Sequence, residues 1–216
     1  MGVMVILNFS PPRETAPMQP WPVRSALVVA TLIVSAGVVF LINTPYLSVP
    51  FNSVFVSGFL AVTYLFVRKQ FGLHIPLVLL ALVFVALQVD AMGNYFHWYR
   101  PDVKPIRYDE FAHLVVPTLI MPMIVWVALR LFDVADVRAP LGLVATFAAT
   151  LMLSLAAFYE ILELWDDKYF GGHRIWSVFD TSEDLQWDFA GIVLGTLLAR
   201  LLLRGERVSR RGHAAR

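Results

Sequence analysis

The chain has 216 residues, of which 58% are hydrophobic and 15% charged, with a mean hydropathy of +0.68 and a formal net charge of +1. A soluble domain of this length would carry about 25% charged residues, so the composition indicates a polytopic membrane protein. The near-neutral charge gives no sign of nucleic-acid binding, and the absence of cysteine excludes disulfides, thiolate catalysis and thiolate metal sites.

Residues 1–22 contain five prolines and no basic leader before an apolar run, which predicts a Pro-rich cytoplasmic tail rather than a signal peptide. The remainder predicts an all-α fold: one six-helix transmembrane domain over residues 23–203, then a basic cytoplasmic tail over 204–216. The predicted spans cover about 24–42, 52–67, 75–95, 108–130, 141–164 and 184–203.

The distribution of lysine and arginine predicts the orientation of these spans. With six spans, both termini lie on one side, and that side collects twelve of the 17 Lys and Arg residues. The other side has five, namely Arg100, Lys104, Arg107, Lys168 and Arg174. Because short basic loops stay in the cytoplasm, this count predicts a bacterial inner-membrane protein with both termini in the cytoplasm.

Under this topology, four spans place ionisable or amide side chains near their outer ends. The pairs are Asp90 and Asn94, Asp109 and His113, Glu160 and Glu163, and Asp184 and Asp188. Each pair is separated by three or four residues, so its members share one face of a helix. Acids at membrane depth are expensive and usually functional. We therefore predict a single polar site towards the periplasmic or extracellular face.

The residue types in this site favour a divalent cation. Carboxylates suit Mg²⁺, Mn²⁺ or Ca²⁺, and the histidine keeps Zn²⁺ and Fe²⁺ open. The candidate ligands are Asp90, Asp109, His113, Glu160, Glu163, Asp184 and Asp188. The alternative is a hydrogen-bonded network that only holds the helices together, with some acids protonated and others paired to Arg100, Lys104, Arg107 or Arg174. Three other acids are interpreted as solvated loop residues, namely Asp166, Asp167 and Glu183.

Three motifs follow one another on successive predicted spans: Tyr108-Asp109-x-x-x-His113, Tyr159-Glu160-x-x-Glu163 and Asp184-x-Gln186-x-Asp188. With them, roughly the second half of the chain resembles the YjdF-like family, small multi-pass bacterial inner-membrane proteins of unknown function. The layout is more loosely similar to that of VanZ-like membrane proteins. The resemblance implies a family and a site but no reaction. The loop before Asp184 departs from the family's form, so no role is assigned to Asp180 or Thr181.

Three kinds of function fit the pattern. The first is a metal-dependent membrane hydrolase or transferase that acts on a lipid or lipid-linked substrate at the outer leaflet. Its candidate catalytic residues are Asp109, His113, Glu160 and Asp188. The second is a proton- or cation-coupled transporter, although the inner halves of the spans are almost empty of ionisable residues. The third is a structural membrane protein. Membrane lipids are the expected partners, and the sequence does not indicate an oligomeric state.

Overall fold

The computed structural model describes residues 49–99, 107–134, 137 and 139–203. The Pro-rich N-terminal segment, the first predicted span and the basic C-terminal tail lie outside these residues. Every regular element among the described residues is helical. The helices are α1 (Val49–Phe71), α2 (Leu77–Tyr95), α3 (Tyr108–Val134), α4 (Leu141–Trp165) and α5 (Asp180–Leu202). A π-helical turn, Asp166–Phe170, continues α4.

Each of the five described helices contains a segment long and apolar enough to cross a membrane. The prediction of an all-helical membrane protein is therefore confirmed, and α1 to α5 correspond to the second to sixth predicted spans. The bounds differ by at most four residues. Helix α5 begins at Asp180 rather than near residue 184, and α1 and α3 end at Phe71 and Val134 rather than near residues 67 and 130. The predicted span begins later because the first turn of α5 is polar and the apolar pattern starts only after it.

Helices α3 and α5 approach each other closely through two glycines of α5. A Cβ atom on Gly191 would collide with the carbonyl oxygen of Leu114, and one on Gly195 would lie 2.7 Å from the carbonyl oxygen of Thr118. Small residues four apart let the backbones of two membrane helices meet in this way. The Thr118 hydroxyl adds a hydrogen bond of 3.2 Å to the Gly191 carbonyl.

Two prolines inside α3 contribute to the same contact. Pro117 and Pro122 lack the N–H groups that would normally bond to the carbonyls of His113 and Thr118. Both of these carbonyls lie against the α5 glycines, at 3.2 Å and 2.7 Å from the Cβ positions that alanines would occupy. The proline and glycine positions together hold the first half of α3 against α5, which sets the distance between their acidic turns.

The apolar core lies further along the bundle, between α3, α4 and α5. It includes Met121, Val125 and Trp126 of α3 together with Ala148 of α4 and Ile192 of α5. Many large apolar side chains point outward instead, as expected where helices face lipid rather than water. The polar cluster therefore occupies one end of the bundle and the apolar core its middle.

Candidate functional site

The candidate site is centred on His113, one turn after Asp109 on α3. Its Nδ1 atom lies 3.2 Å from Asp188 Oδ1. Its Nε2 atom lies 3.6 Å from Asp109 Oδ1 and 4.0 Å from Asp184 Oδ1. The imidazole ring is therefore flanked by three carboxylates, with one nitrogen directed to Asp188 and the other to a pair of acids.

Two overlapping groups of ligand atoms result. The first group is Asp109, His113 and Asp184, and the second is His113, Glu160 and Asp188; within each group the ligand atoms lie within 4.8 Å of one another. Divalent cations bind oxygen and nitrogen at about 2.0–2.6 Å, so atoms up to about 4–5 Å apart can share one ion. Both groups have the dimensions of a metal site, and His113 belongs to both.

The acids of this site are withdrawn from solvent to an unusual degree. The buried charged residues in the described part of the chain are Glu160, Asp180, Asp184 and Asp188, each at most 5% exposed. Three oxygens among them have no hydrogen-bond donor, namely Glu160 Oε1, Asp180 Oδ1 and Asp184 Oδ1. Leaving a buried acceptor unpaired costs about 1–3 kcal/mol, and more when it is charged. The cluster therefore has more hydrogen-bond acceptors than donors, and a bound proton or cation would compensate for the difference.

Arg107, immediately before α3, forms the outer edge of the cluster. Its Nη2 atom lies 3.0 Å from Glu183 Oε2 and 3.8 Å from Asp180 Oδ1, and its Nε atom lies 3.4 Å from Glu110 Oε1. Burial alone would lower the pKa of Arg107, but the hydrogen bond to Glu183 and the neighbouring carboxylates raise it. Arg107 thus partly balances the acids at the mouth of the site.

Glu163 belongs to a separate network around Arg174. Arg174 Nε donates to Asp166 Oδ2 at 2.8 Å, and its Nη1 lies 3.3 Å from the Tyr159 hydroxyl and 3.5 Å from Glu163 Oε1. Although burial opposes its charge, these neighbours hold the pKa of Arg174 above its ordinary value. Glu163 is thus placed opposite a permanent cation and lies outside both groups of metal-ligand atoms.

The loop between α4 and α5 is fixed by carboxylates of its own. Asp167 accepts hydrogen bonds from the backbone N–H groups of Arg174 at 2.8 Å and Ile175 at 3.0 Å. Asp180 Oδ2 accepts one from the Trp176 N–H at 2.9 Å. The interpretation of Asp166 and Asp167 as solvated loop acids is therefore wrong, because both are half-buried and hold the loop in place. Glu183 remains partly exposed, although it pairs with Arg107.

Asp90 on α2 also has a protein partner. Its Oδ1 atom accepts a hydrogen bond of 2.7 Å from the Tyr99 hydroxyl, and the Asn94 side chain bonds to its backbone carbonyl. Burial and the charge of Asp90 raise the pKa of Tyr99 well above its ordinary value, which keeps the phenol a donor. Gly93 makes room for this arrangement, since a Cβ there would collide with the rings of Tyr99 and Tyr108.

The structure thus divides the predicted ligands. Five fall in the two ligand groups, namely Asp109, His113, Glu160, Asp184 and Asp188, whereas Asp90 and Glu163 contact Tyr99 and Arg174. Sequence reasoning assigned no role to Asp180 and named Arg107 only as a possible partner of the acids in the alternative network. Asp180, Asp184 and Asp188 are spaced by four, so extending the last helix by one turn would have placed all three on one face.

The fold and the site define a polytopic helical membrane protein that buries a histidine among carboxylates at one end of its bundle. A family model described as a predicted membrane protein (DUF2238) matches residues 25–207, and the chain belongs to this family. This assignment is consistent with the resemblance to the YjdF-like family, which also consists of uncharacterised membrane proteins. No curated protein matches the chain, and no solved structure does.

Proposed function

We propose that the protein binds a divalent cation through Asp109, His113 Nε2 and Asp184. The observation that carries this proposal is the convergence of these three ligand atoms within 4.8 Å, together with the buried Asp184 Oδ1 that has no hydrogen-bond donor. A cation between them would supply the positive partner that this oxygen lacks.

The two nitrogens of His113 support the same arrangement. When Nδ1 carries the proton and donates to Asp188 at 3.2 Å, Nε2 presents its lone pair to the oxygens of Asp109 and Asp184. Three acceptors facing one another repel unless a cation lies between them. In a metal-bound histidine, the N–H of the other ring nitrogen usually donates a hydrogen bond to a carboxylate, a backbone carbonyl or water, which fixes the orientation of the ring. Asp188, which lies 3.2 Å from Nδ1, would orient the His113 ring in this way.

The competing arrangement is a protonated imidazole that holds the acids together without metal. In that case Nε2 would donate to Asp109 or Asp184, but the distances of 3.6 and 4.0 Å exceed those of a hydrogen bond. The same distances suit two ligands of one ion. The geometry therefore favours the cation over the histidine-centred network.

The ligand set also narrows the chemistry. One imidazole with two carboxylates suits Mn²⁺, Fe²⁺ or Zn²⁺, and Mg²⁺ when water completes the shell. Three protein ligands leave coordination positions open, and a cation with open positions polarises a substrate oxygen or activates water. Glu160, whose Oε1 has no donor, is placed beside His113 and Asp188 as a candidate general base. The open coordination positions and the candidate base together support a hydrolase or transferase, and the location within the membrane favours a lipid or lipid-linked substrate.

The test is metal content by mass spectrometry of detergent-purified protein. We expect a near-stoichiometric divalent metal in the wild type and its loss in Asp109→Asn and Asp184→Asn. Asp133→Asn is the matched control, since Asp133 lies at the opposite end of α3 and pairs with Arg130. Wild-type protein that stays monodisperse yet takes up none of Mg²⁺, Mn²⁺, Zn²⁺ and Fe²⁺ would overturn the proposal in favour of the histidine-centred network.

A further inference from the structure

The proposed cation site is closed off from water in this conformation. Asp184 is 2% exposed, and the side chains of Asp109 and His113 are 15% and 12% exposed. Asp184 Oδ1, the oxygen that lacks a hydrogen-bond donor, is itself buried. A hydrated cation therefore cannot reach all three ligands unless a neighbouring group moves.

The packing of the helices leaves one direction from which a cation can enter. On the inner side of the site, His113 contacts Asp188, and the backbones of α3 and α5 meet at Gly191 just beyond. Helices α2 and α4 both pack against α3, and the buried Glu160 of α4 lies beside His113. Beyond these helices lies lipid, which does not admit a charged ion. The cation therefore has to enter from the polar end of the bundle, along the first turns of α3 and α5.

Arg107 lies on this route, immediately before α3. Its Nη2 atom is 3.0 Å from Glu183 Oε2 and 3.8 Å from Asp180 Oδ1, which links the start of α3 to the first turn of α5. Its Nε atom is 3.4 Å from Glu110 Oε1. Since Asp180 precedes the ligand Asp184 by about one helical turn, the guanidinium lies on the outer side of the site, between the two helices.

The contacts that hold Arg107 in this position can break without disturbing the helices. The side chains of Arg107, Glu183 and Glu110 are 40%, 41% and 28% exposed. Ion pairs between partly exposed side chains contribute little to stability, because water and salt screen the charges. The distance of 3.8 Å to Asp180 is too long for a hydrogen bond. The guanidinium can therefore turn away from the site at a small cost in free energy.

We propose that Arg107 is a gate on the cation site, held closed by its ion pairs with Glu183 and Glu110. In the closed state, the guanidinium blocks the outer side of the site and repels an incoming cation. When the two ion pairs break, the guanidinium turns outward, and the route past Asp180 to Asp184 opens. The inference concerns access to the proposed cation site and therefore rests on the proposed function.

The rate at which bound Zn²⁺ is released distinguishes a gate from a simple electrostatic effect of Arg107. In Arg107→Gln, the loss of a positive charge would by itself hold the cation more tightly and slow its release. A gate that stays open would instead speed the release, and we expect an increase of about fivefold over the wild type. Stopped-flow mixing of the Zn²⁺-loaded protein in detergent with an excess of a chromogenic chelator measures this rate. Release from Arg107→Gln that is as slow as from the wild type, or slower, would overturn the proposal.

The association rate of Zn²⁺ with Glu183→Gln is the complementary test. Removing an acid near the entrance would by electrostatics alone slow the association of a cation. Because Glu183 also holds the gate closed, we expect association about threefold faster than in the wild type. An association rate at or below that of the wild type would contradict the gate.

Asp133→Asn is the matched control for Glu183→Gln. Asp133 is 34% exposed, compared with 41% for Glu183, and it pairs with Arg130 at the opposite end of α3. Its substitution removes a similar ion-paired charge far from the entrance, so both rates should equal those of the wild type. Rates that rise as much in Asp133→Asn as in Glu183→Gln would contradict a local gate.

The same measurements separate the gate from the cation site itself. Wild-type protein that takes up no divalent cation, Zn²⁺ included, would contradict the cation site and, with it, the gate. Zn²⁺ that binds to the wild type but leaves Arg107→Gln no faster would contradict the gate alone.

Discussion

At the scale of single residues, the two nitrogens of His113 have different neighbours and should have different importance. Nε2 faces Asp109 and Asp184, whereas Nδ1 lies 3.2 Å from Asp188. An acid that only orients a metal-binding histidine contributes less to metal affinity than a direct ligand does. Loss of such an orienting acid typically weakens metal affinity by about 10- to 100-fold. The geometry therefore assigns unequal roles to three aspartates that look alike in the sequence.

We predict that Asp188→Asn weakens metal affinity by about 10- to 100-fold, whereas Asp184→Asn removes measurable binding. The asparagine at 188 still accepts the hydrogen bond from Nδ1–H but loses the charge that stabilises it. Calorimetric titration with Zn²⁺ or Mn²⁺ measures both affinities in the same detergent. Equal losses in the two variants would indicate that Asp188 is itself a ligand, as in the second group of ligand atoms.

Arg174 carries a second prediction at this scale. Its side chain is 22% exposed and that of Glu163 14%, so Arg174→Leu leaves two carboxylates, Glu163 and Asp166, poorly solvated and without their cation. Breaking a fully buried pair costs about 3–5 kcal/mol, and partial exposure reduces this to about 2–3 kcal/mol. Denaturant unfolding in detergent measures the loss.

The control for Arg174→Leu is the double variant with Glu163→Gln. Removing the unpaired charge should restore about half of the lost stability, because the amide is easier to bury than a carboxylate. A double variant less stable than Arg174→Leu alone would show that Glu163 has a stabilising partner other than Arg174, and that the network is organised differently.

At the scale of elements, the contact between α3 and α5 determines whether the site assembles. Asp109 and His113 lie on α3, and Asp184 and Asp188 lie on α5, one to three turns before the glycines at 191 and 195. Because the backbones touch at these glycines, a small separation of the two helices would lengthen every distance across the site. The packing of small residues and the chemistry of the acids are therefore coupled.

We predict that Gly191→Ala destabilises the protein by about 1–3 kcal/mol and weakens metal binding, because its Cβ would collide with the Leu114 carbonyl. Gly58→Ala on α1 is the matched control, since nothing lies within 4 Å of its Cβ position. It should be neutral or slightly stabilising, as alanine favours helix over glycine. Thermal unfolding and metal titration of both variants check this, and similar effects at the two positions would contradict the close packing.

The helices themselves followed from composition, because runs of about 20 apolar residues are a strong signal. The pairs spaced by three or four also indicated which side chains face the site. The pattern does not identify the individual partner of each acid. Arg174 is one of four basic residues that the sequence offers as partners, and no periodic pattern relates a loop residue such as Tyr99 to a helix face. The bond from Tyr99 to Asp90 and the anchoring of the loop by Asp167 therefore required the structure.

At the scale of the whole molecule, the orientation decides which leaflet the site can reach. The structure places the acids of α3, α4 and α5 together at one end of the bundle, and a hydrogen bond from the Tyr108 hydroxyl to the Val89 carbonyl brings the Asp90 end of α2 to the start of α3. Which side of the membrane that end faces rests on the count of basic residues, twelve against five. This count predicts that the polar cluster faces the outer leaflet.

The absence of natural cysteine allows a direct test of the orientation. We predict that Val178→Cys, at a position 93% exposed in the loop before α5, reacts with a membrane-impermeant maleimide in intact spheroplasts. Lys69→Cys, near the end of α1 and exposed, should react only after lysis, because the positive-inside rule keeps this basic end in the cytoplasm. The reverse labelling would place the polar cluster at the cytoplasmic face. The distances within the cluster would be unaffected, but the leaflet that the site can reach would then be the inner one.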